Sequence, residues 1–359
     1  NYDTVIQLTV RGPGPEINKV SLQLGPDDDP RLEYLALGDS YSSGEGDAEN
    51  RGSHYLPLTD LDSDTCHLSS RSNPFLLRDR WNISIADMKS VACSGAQVIF
   101  DYYRSPKGYS GQDNRLQGRS DIKQVRVTAL DKFIPGRVPQ LEFVKKYQPR
   151  VITLTGGGND VGFGTMLTYC AYGSADTNTT WGKIREGFYG VFTCDYAKPN
   201  TFLQQLTLKI IDEQYDNMRI ALKKIKEGDP DAMVYVIGYP SFISPGTALC
   251  TNSLELNSGE RAAIQYYLER LNDSLREAAQ SENVEFVDIA NSLNVGRLCE
   301  GSEYMTGFWN TDLSGKSGKQ NLFHPNAKGH RQMADAIYRT INNPINTLAA
   351  KSSINTPSN

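Results

Sequence analysis

Two residues far apart in the chain have side chains suited to moving a proton and attacking a carbon centre. Ser40 lies in Gly38-Asp39-Ser40, directly after the apolar run Leu35-Ala36-Leu37. An apolar run that breaks into Gly-Asp-Ser puts a serine on a tight turn at the carboxyl end of a strand, where ligands bind in open parallel sheets. His324 lies in Phe323-His324-Pro325, just before an amphipathic stretch, and Pro325 is a helix-start signal. A histidine on such a loop is free to face a cleft and act as a base towards a serine hydroxyl. Two glycine-bearing turns follow apolar runs: Ala92-Cys93-Ser94-Gly95-Ala96 and Leu154-Thr155-Gly156-Gly157-Gly158-Asn159-Asp160. Glycine lets a backbone amide approach a reacting oxygen, and Asn159 offers a neutral side-chain donor. Such donors stabilise the tetrahedral oxyanion of acyl transfer, and losing one typically slows the reaction by about 10²–10³.

Other chemistries fail on spacing. Gly156–Gly158 is not a dinucleotide loop, because G-x-G-x-x-G breaks at Val161, and no phosphate-binding Lys follows. Ser40 does not fit G-x-S-x-G, since position 42 is Ser. There is no H-E-x-x-H and no cysteine pair with zinc spacing, so no metal and no cofactor is expected. Of the four histidines, His330 falls on the stretch after Pro325 and suits packing or a structural hydrogen bond; His54 and His67 lie in polar loops and read as surface residues.

The elements that must position these groups alternate. Tyr34–Leu37, Val151–Thr155, Met233–Gly238 and Val284–Ile289 are short apolar runs of the kind buried on both faces of a parallel sheet. Between and after them run helical stripes: Ile211, Tyr215, Met218, Leu222 and Ile225; Ile264, Tyr267, Leu268, Leu271 and Leu275; Met333, Ala334, Ile337 and Ile341. This alternation predicts an α/β fold with helices on both faces of a parallel sheet, over 32–345. Residues 1–31 differ. Val5–Val10 and Val20–Leu24, separated by Gly12-Pro13-Gly14-Pro15, read as a short N-terminal β appendage, and 346–359 as a flexible tail. The stretches 42–80, 100–135, 160–200 and 290–323 read as loops rimming the sheet.

The chain has 359 residues, 38% of them hydrophobic, and a net charge of -5. Without a basic cluster, no nucleic-acid partner is expected. No run of 18 apolar residues occurs, so no transmembrane segment is expected either. The first residue is Asn, consistent with a removed leader. Six cysteines (Cys66, Cys93, Cys170, Cys194, Cys250, Cys299) suggest disulfides formed outside the cytosol. They allow about 15 pairings. Sequential pairing would close loops of moderate length, each stabilising by roughly 3 kcal/mol; the alternative leaves one or two as buried thiols. Sequons at Asn82, Asn178 and Asn272 add to the expectation of a secreted glycoprotein from a eukaryotic cell, expected to be monomeric.

Taken together, Gly38-Asp39-Ser40, Gly95, Gly157-Gly158-Asn159-Asp160 and His324-Pro325 follow the order of the four blocks of the SGNH (GDSL-type) hydrolases. The chain resembles that family over roughly residues 32–345. It is most similar to its secreted, disulfide-bonded lipase and esterase branch, through Cys66, Arg71-Ser72-Asn73-Pro74-Phe75, Ala92–Ala96, Gly238-Tyr239-Pro240 and Phe323–His330. The resemblance implies a flavodoxin-like three-layer α/β/α sandwich. It implies Ser40 as nucleophile, His324 as base, and Ser40, Gly95 and Asn159 as the oxyanion hole. It also implies sequential pairing: Cys66–Cys93, Cys170–Cys194 and Cys250–Cys299. One position departs from the family: an Asp usually stands three residues before the histidine, and here it is Asn321. Either a backbone carbonyl near Asn321 orients the ring in a Ser–His dyad, which we prefer, or a loop acid such as Asp312 reaches in. The implied activity is hydrolysis of a small-molecule or polymer-borne carboxylic ester by a lipase or esterase. Phospholipase A and carbohydrate acetyl esterase are the alternatives. Acyl transfer would use the same residues, and a non-catalytic binding module on this scaffold is the contrasting reading.

Overall fold

The structure, a computed structural model, describes residues 6–8, 20–22, 31–47, 54–60, 65–98, 122–164, 167, 202–246, 256, 258–301, 303–307 and 321–344. The chain divides into two compact units, Asn1–Arg31 and Leu32–Asn359. In the first, β1 (Ile6–Leu8) and β2 (Val20–Leu22) pair antiparallel, with Ile6 opposite Leu22. The tail from 345 onward lies outside the described residues.

The second unit is built on a five-stranded parallel sheet. Its strands are β3 (Tyr34–Leu37), β4 (Met88–Ser90), β5 (Val151–Leu154), β6 (Met233–Ile237) and β7 (Glu285–Val287). They lie in the order β4-β3-β5-β6-β7. In register, Tyr34 faces Met88 on one side and Val151 on the other. Every residue of β3 and β5 is buried, as their unbroken apolar runs require. The order is that of flavodoxin-like sheets, and it reverses direction at β3. The carboxyl ends of β4, β3 and β5 therefore flank the crevice where ligands bind.

Helices flank the sheet. They are α1 (Ser40–Ser43), α2 (Asn73–Arg80), α3 (Ile122–Asp131), α4 (Gln140–Tyr147), α5 (Phe202–Gly228), α6 (Ser258–Ser281) and α7 (Ala327–Ile341). The helices α5 and α6 pack on each other, and α2 packs on α7. Each stripe read from periodicity faces inward: Ile211, Met218, Leu222 and Ile225 of α5 are buried, as are Ile264, Leu268 and Leu271 of α6 and Met333 and Ile337 of α7. Asn326 caps α7, its side chain accepting from the Lys328 and Gly329 amides at 3.0 and 3.1 Å. The elements β4, α2, α3 and α4 lie where the sequence patterns suggested loops or nothing. The strand β4 is only Met-Lys-Ser, too short for a period to register.

Cys66 and Cys93 are bonded to each other, as the resemblance implied. Cys299 is also disulfide-bonded; Cys170, Cys194 and Cys250 lie outside the described residues. His67 is not a surface residue: it is 1% exposed and its Nδ1 lies 2.6 Å from Glu45 Oε2. Burial is possible because a carboxylate satisfies the ring. Asn272 is buried on α6, accepting from the Tyr239 amide at 2.8 Å and donating to the Tyr239 carbonyl at 2.9 Å. A glycan there would break both bonds and displace core, so this sequon is structural. Asn82 is exposed, His54 is exposed, and Asn178 lies outside the described residues.

His330 is fully buried, its Nδ1 3.3 Å from Asn73 Nδ2 on α2. Burial pushes its imidazole down from 6.5 to about 4. The unfolded chain takes up this proton below its ordinary value while the folded protein resists until about 4. Stability therefore falls as pH drops through that window. His330→Gln is expected to flatten this stretch of the Tm-against-pH curve, removing an effect on the order of 3 kcal/mol at most. An unchanged slope would assign it to another group.

Candidate active site

Three strand ends build the site. Directly after β3, Gly38 adopts φ +143, and a Cβ there would stand 2.6 Å from Thr155 Oγ1, so the turn accepts only glycine. Gln140, the first residue of α4, clamps this peptide: its Oε1 accepts from the Gly38 amide and its Nε2 donates to the Gly38 carbonyl, both at 2.8 Å. Asp39 is the N-cap of α1, its side chain accepting from the Tyr41 amide at 3.0 Å. Ser40 follows at the first position of that single turn, and Gly44 closes it at φ +111.

Asp39 is itself buried. Thr155, just beyond β5, donates to its Oδ1 at 2.7 Å, and Tyr239, just beyond β6, donates to its Oδ2. Burial pushes the Asp39 carboxyl above its ordinary value, and the bonds from Tyr239, Thr155 and the Tyr41 amide oppose that shift. These bonds fix Asp39 as a cap and scaffold beneath Ser40.

His324 arrives from the loop before α7. Phe323 holds the left-handed φ of +65 that turns the chain there, and Tyr41, next to Ser40, donates its hydroxyl to the Phe323 carbonyl at 2.9 Å. The ring then reaches Ser40, with Nε2 2.8 Å from Oγ. Its other nitrogen, Nδ1, lies 2.9 Å from the Leu322 carbonyl oxygen. A carbonyl only accepts, so Nδ1 carries the proton, and Nε2 is left to accept from the Ser40 hydroxyl. This is the arrangement a serine needs in order to lose its proton as it attacks.

Asn321 does not contact the ring through its side chain. Its Oδ1 accepts from the Gly46 amide at 3.2 Å and from the Tyr55 hydroxyl at 2.5 Å, while its carbonyl accepts from the His324 amide at 3.3 Å. The group beside Nδ1 is the backbone carbonyl of Leu322, the residue next to Asn321. Asp312 lies outside the described residues.

Gly95, beyond β4, and Asn159, beyond β5, line the same cleft as Ser40 and His324. Gly95 sits at φ +81. Among the described residues, no partner is bonded to the amide of Ser40 or of Gly95. Asn159 Nδ2 donates to the Ala96 carbonyl at 3.0 Å, which fixes the carboxamide and leaves a second N–H on the same nitrogen. The cleft has a volume of about 380 Å³. Among the described residues, no group of acidic, His and Cys side chains is arranged to hold a metal ion.

The GDSL-like lipase/acylhydrolase family model matches residues 36–332. The chain belongs to this family. It is therefore a carboxylic ester hydrolase with a central parallel sheet. Lipase 2 of Streptomyces coelicolor is 27% identical over 311 residues, covering 85% of this chain and 84% of that protein. A lipase of Streptomyces rimosus is 25% identical, covering 84% of each. Among solved structures, phospholipase A1 from Streptomyces albidoflavus aligns with a TM-score of 0.55 at 23% identity, over 86% of this chain and 98% of that one. The extracellular lipase of Streptomyces rimosus gives 0.56 at 22%, over 86% and 99%. These last two likenesses are likenesses of fold.

Within this GDSL hydrolase, sequence reasoning overlooked Gln140 and the Leu322 carbonyl. Gln140 carries no motif, and a backbone carbonyl has no sequence signature at all. Tyr239 belongs to the Gly238-Tyr239-Pro240 stretch and was visible as a resemblance, but its bond to Asp39 was not. Because a carbonyl orients the ring, Asn321→Ala should lower kcat by less than about tenfold, well short of the ~10⁴ loss on disabling a true triad acid. A larger loss, with the fold intact by circular dichroism, would return Asn321 to the catalytic unit.

Proposed function

We propose that the protein is a secreted serine esterase or lipase that works through an acyl-enzyme on Ser40. The single observation that carries this reading is the 2.8 Å contact of His324 Nε2 with Ser40 Oγ, combined with the Nδ1 contact to Leu322. Ser40 Oγ attacks the ester carbonyl carbon while His324 Nε2 takes the hydroxyl proton. The carbonyl π pair moves onto oxygen, where the amides of Ser40 and Gly95 and the Asn159 side chain receive it. When the oxyanion collapses, the C–O bond to the alcohol breaks and His324 gives the leaving alcohol its proton. Water then repeats the sequence at the acyl-enzyme, His324 taking its proton and returning it to Ser40. The product is the free acid. Losing one of the three oxyanion donors is expected to slow this by about 10²–10³.

The cleft wall supports an acyl chain as the group bound beside Ser40. Phe163, Leu167, Phe242, Leu268, Leu271 and Leu322 line it. Each methylene transferred from water to such a wall stabilises by about 0.8 kcal/mol. A cavity of about 380 Å³ holds a chain longer than acetyl. This supports lipase or medium-chain esterase action over carbohydrate deacetylation. Secretion is supported by the Cys66–Cys93 disulfide.

Hydrolysis of p-nitrophenyl acetate, butyrate, octanoate and palmitate tests the reading. Wild type should prefer butyrate or octanoate to acetate, and Ser40→Ala should lose at least ~10³-fold in kcat. Full activity in Ser40→Ala would end the assignment, and a preference for acetate would favour the acetyl esterase. Gly164 lines the cleft, and a Cβ built there meets nothing within 4 Å. Gly164→Phe should therefore fold normally and fill acyl space, lowering the octanoate-to-butyrate ratio of kcat/KM by about tenfold. An unchanged ratio would place the acyl chain elsewhere.

A further inference from the structure

A second set of buried polar groups lies beside the site and takes no part in the steps above. Glu45 is fully buried, two residues beyond α1. Its Oε2 is 2.6 Å from His67 Nδ1, and the His67 ring stacks on Tyr55 with centroids 4.5 Å apart. Burial acts to raise the Glu45 carboxyl, but His67 beside it, together with the His324 charge and Ser94, holds the group below its ordinary value.

Two arms leave this pair. On one side the Ser94 side chain is near enough to Glu45 to help hold its carboxyl down. Ser94 immediately precedes Gly95, and both line the cleft with Ser40 and His324. On the other side Tyr55 donates to Asn321 Oδ1 at 2.5 Å and accepts from the Gly46 amide at 3.1 Å, its hydroxyl 3.3 Å from Glu45 Oε1. Asn321 in turn accepts from the His324 amide at 3.3 Å through its carbonyl. The Gly46 turn presses on the same loop: a Cβ at Gly46 would stand 2.8 Å from His324 Cβ.

We propose that Glu45, held by His67, is a positioning residue that fixes the Gly95 oxyanion loop through Ser94 and the His324 loop through Tyr55 and Asn321. A buried carboxylate is costly to desolvate, and a single buried partner is a poor source of net stability. This pair has a geometric use: the two loops come from opposite ends of the sequence, and one carboxylate ties them. Misplacing catalytic groups by about 1 Å can slow a reaction ~10²-fold, so a clamp of this kind acts on kcat.

The inference rests on the assignment of Ser40 and His324, which Ser40→Ala tests separately. The test is a double-mutant cycle with Glu45→Gln and Ser94→Ala, read by kcat, KM and Tm on p-nitrophenyl butyrate, with Tyr55→Phe as a probe of the second arm. Glu45→Gln keeps the shape of the side chain, and Ser94→Ala removes only a hydroxyl at a half-buried site. Each should lower kcat by about tenfold with KM changed less than about twofold, and the double variant should be no slower than the slower single. Tyr55→Phe should lower kcat by a few-fold. Fully additive losses would overturn the coupling between Glu45 and Ser94. Loss of Tm with kcat preserved in the folded fraction would make the network purely structural. Should Glu45→Gln fail to fold, unchanged kcat in both Ser94→Ala and Tyr55→Phe overturns the proposal alone. An enzyme that dies with Ser40→Ala yet ignores Ser94→Ala and Tyr55→Phe loses the clamp and keeps its nucleophile.

Discussion

The buried Asp39 carboxylate is the interaction on which the site depends. It caps α1 through the Tyr41 amide and receives the hydroxyls of Thr155 and Tyr239. Those partners stand just past β3, β5 and β6, so one carboxylate fastens three neighbouring strand ends at their carboxyl edge. Tyr239 extends the tie by accepting from the Gly158 amide at 2.9 Å, next to Asn159. A buried charge is tolerated only when it is fully hydrogen-bonded, and the bonds that satisfy it are charge-assisted and therefore strong. Satisfying Asp39 and placing Ser40 are thus the same structural act.

The histidine is held by a different logic. A triad acid both fixes the tautomer and stabilises the imidazolium that forms on proton transfer. Here the Leu322 carbonyl supplies the first function by accepting from Nδ1, and it carries no formal charge for the second. Buried carboxylates stand near enough to contribute: both Asp39 and Glu45 interact electrostatically with His324. In a desolvated site such charges act over longer distances than in water. The charge a triad would concentrate at one atom is spread over groups that also serve as scaffold.

The region between α1 and α2 carries a density of buried polar and charged groups. Asp47 is fully buried and pairs with Arg71, Glu45 pairs with His67, and the Cys66–Cys93 disulfide crosses the same region. The geometry these groups enforce joins loops that follow β3 and β4 to the loop before α7, which no run of secondary structure connects.

Ser40, Gly95, Asn159 and His324, which line one cleft, could be read as candidates because each sits in local backbone chemistry: a strand that breaks into Gly-Asp-Ser, glycines after apolar runs, a histidine ahead of a proline-started helix. The helices α5, α6 and α7 were legible because burying one face imposes a 3.6-residue period. What escaped was set by distant residues. The strand β4 is too short to show a period and exists because β3 offers it an open edge. His67 looked like a surface residue and Asn272 like a glycan site, since a polar side chain is exposed unless a partner remote in sequence satisfies it; Glu45 and the Tyr239 backbone do so only once the chain has folded. The replacement of the expected acid by a carbonyl was foreseeable from Asn321, but its identity as Leu322 was not. A backbone carbonyl is the same at every position, and only the left-handed turn at Phe323 aims this one at the ring. The amino-acid sequence alone determined which residues were chemically able to act, and the tertiary structure decided which atoms hold them in place.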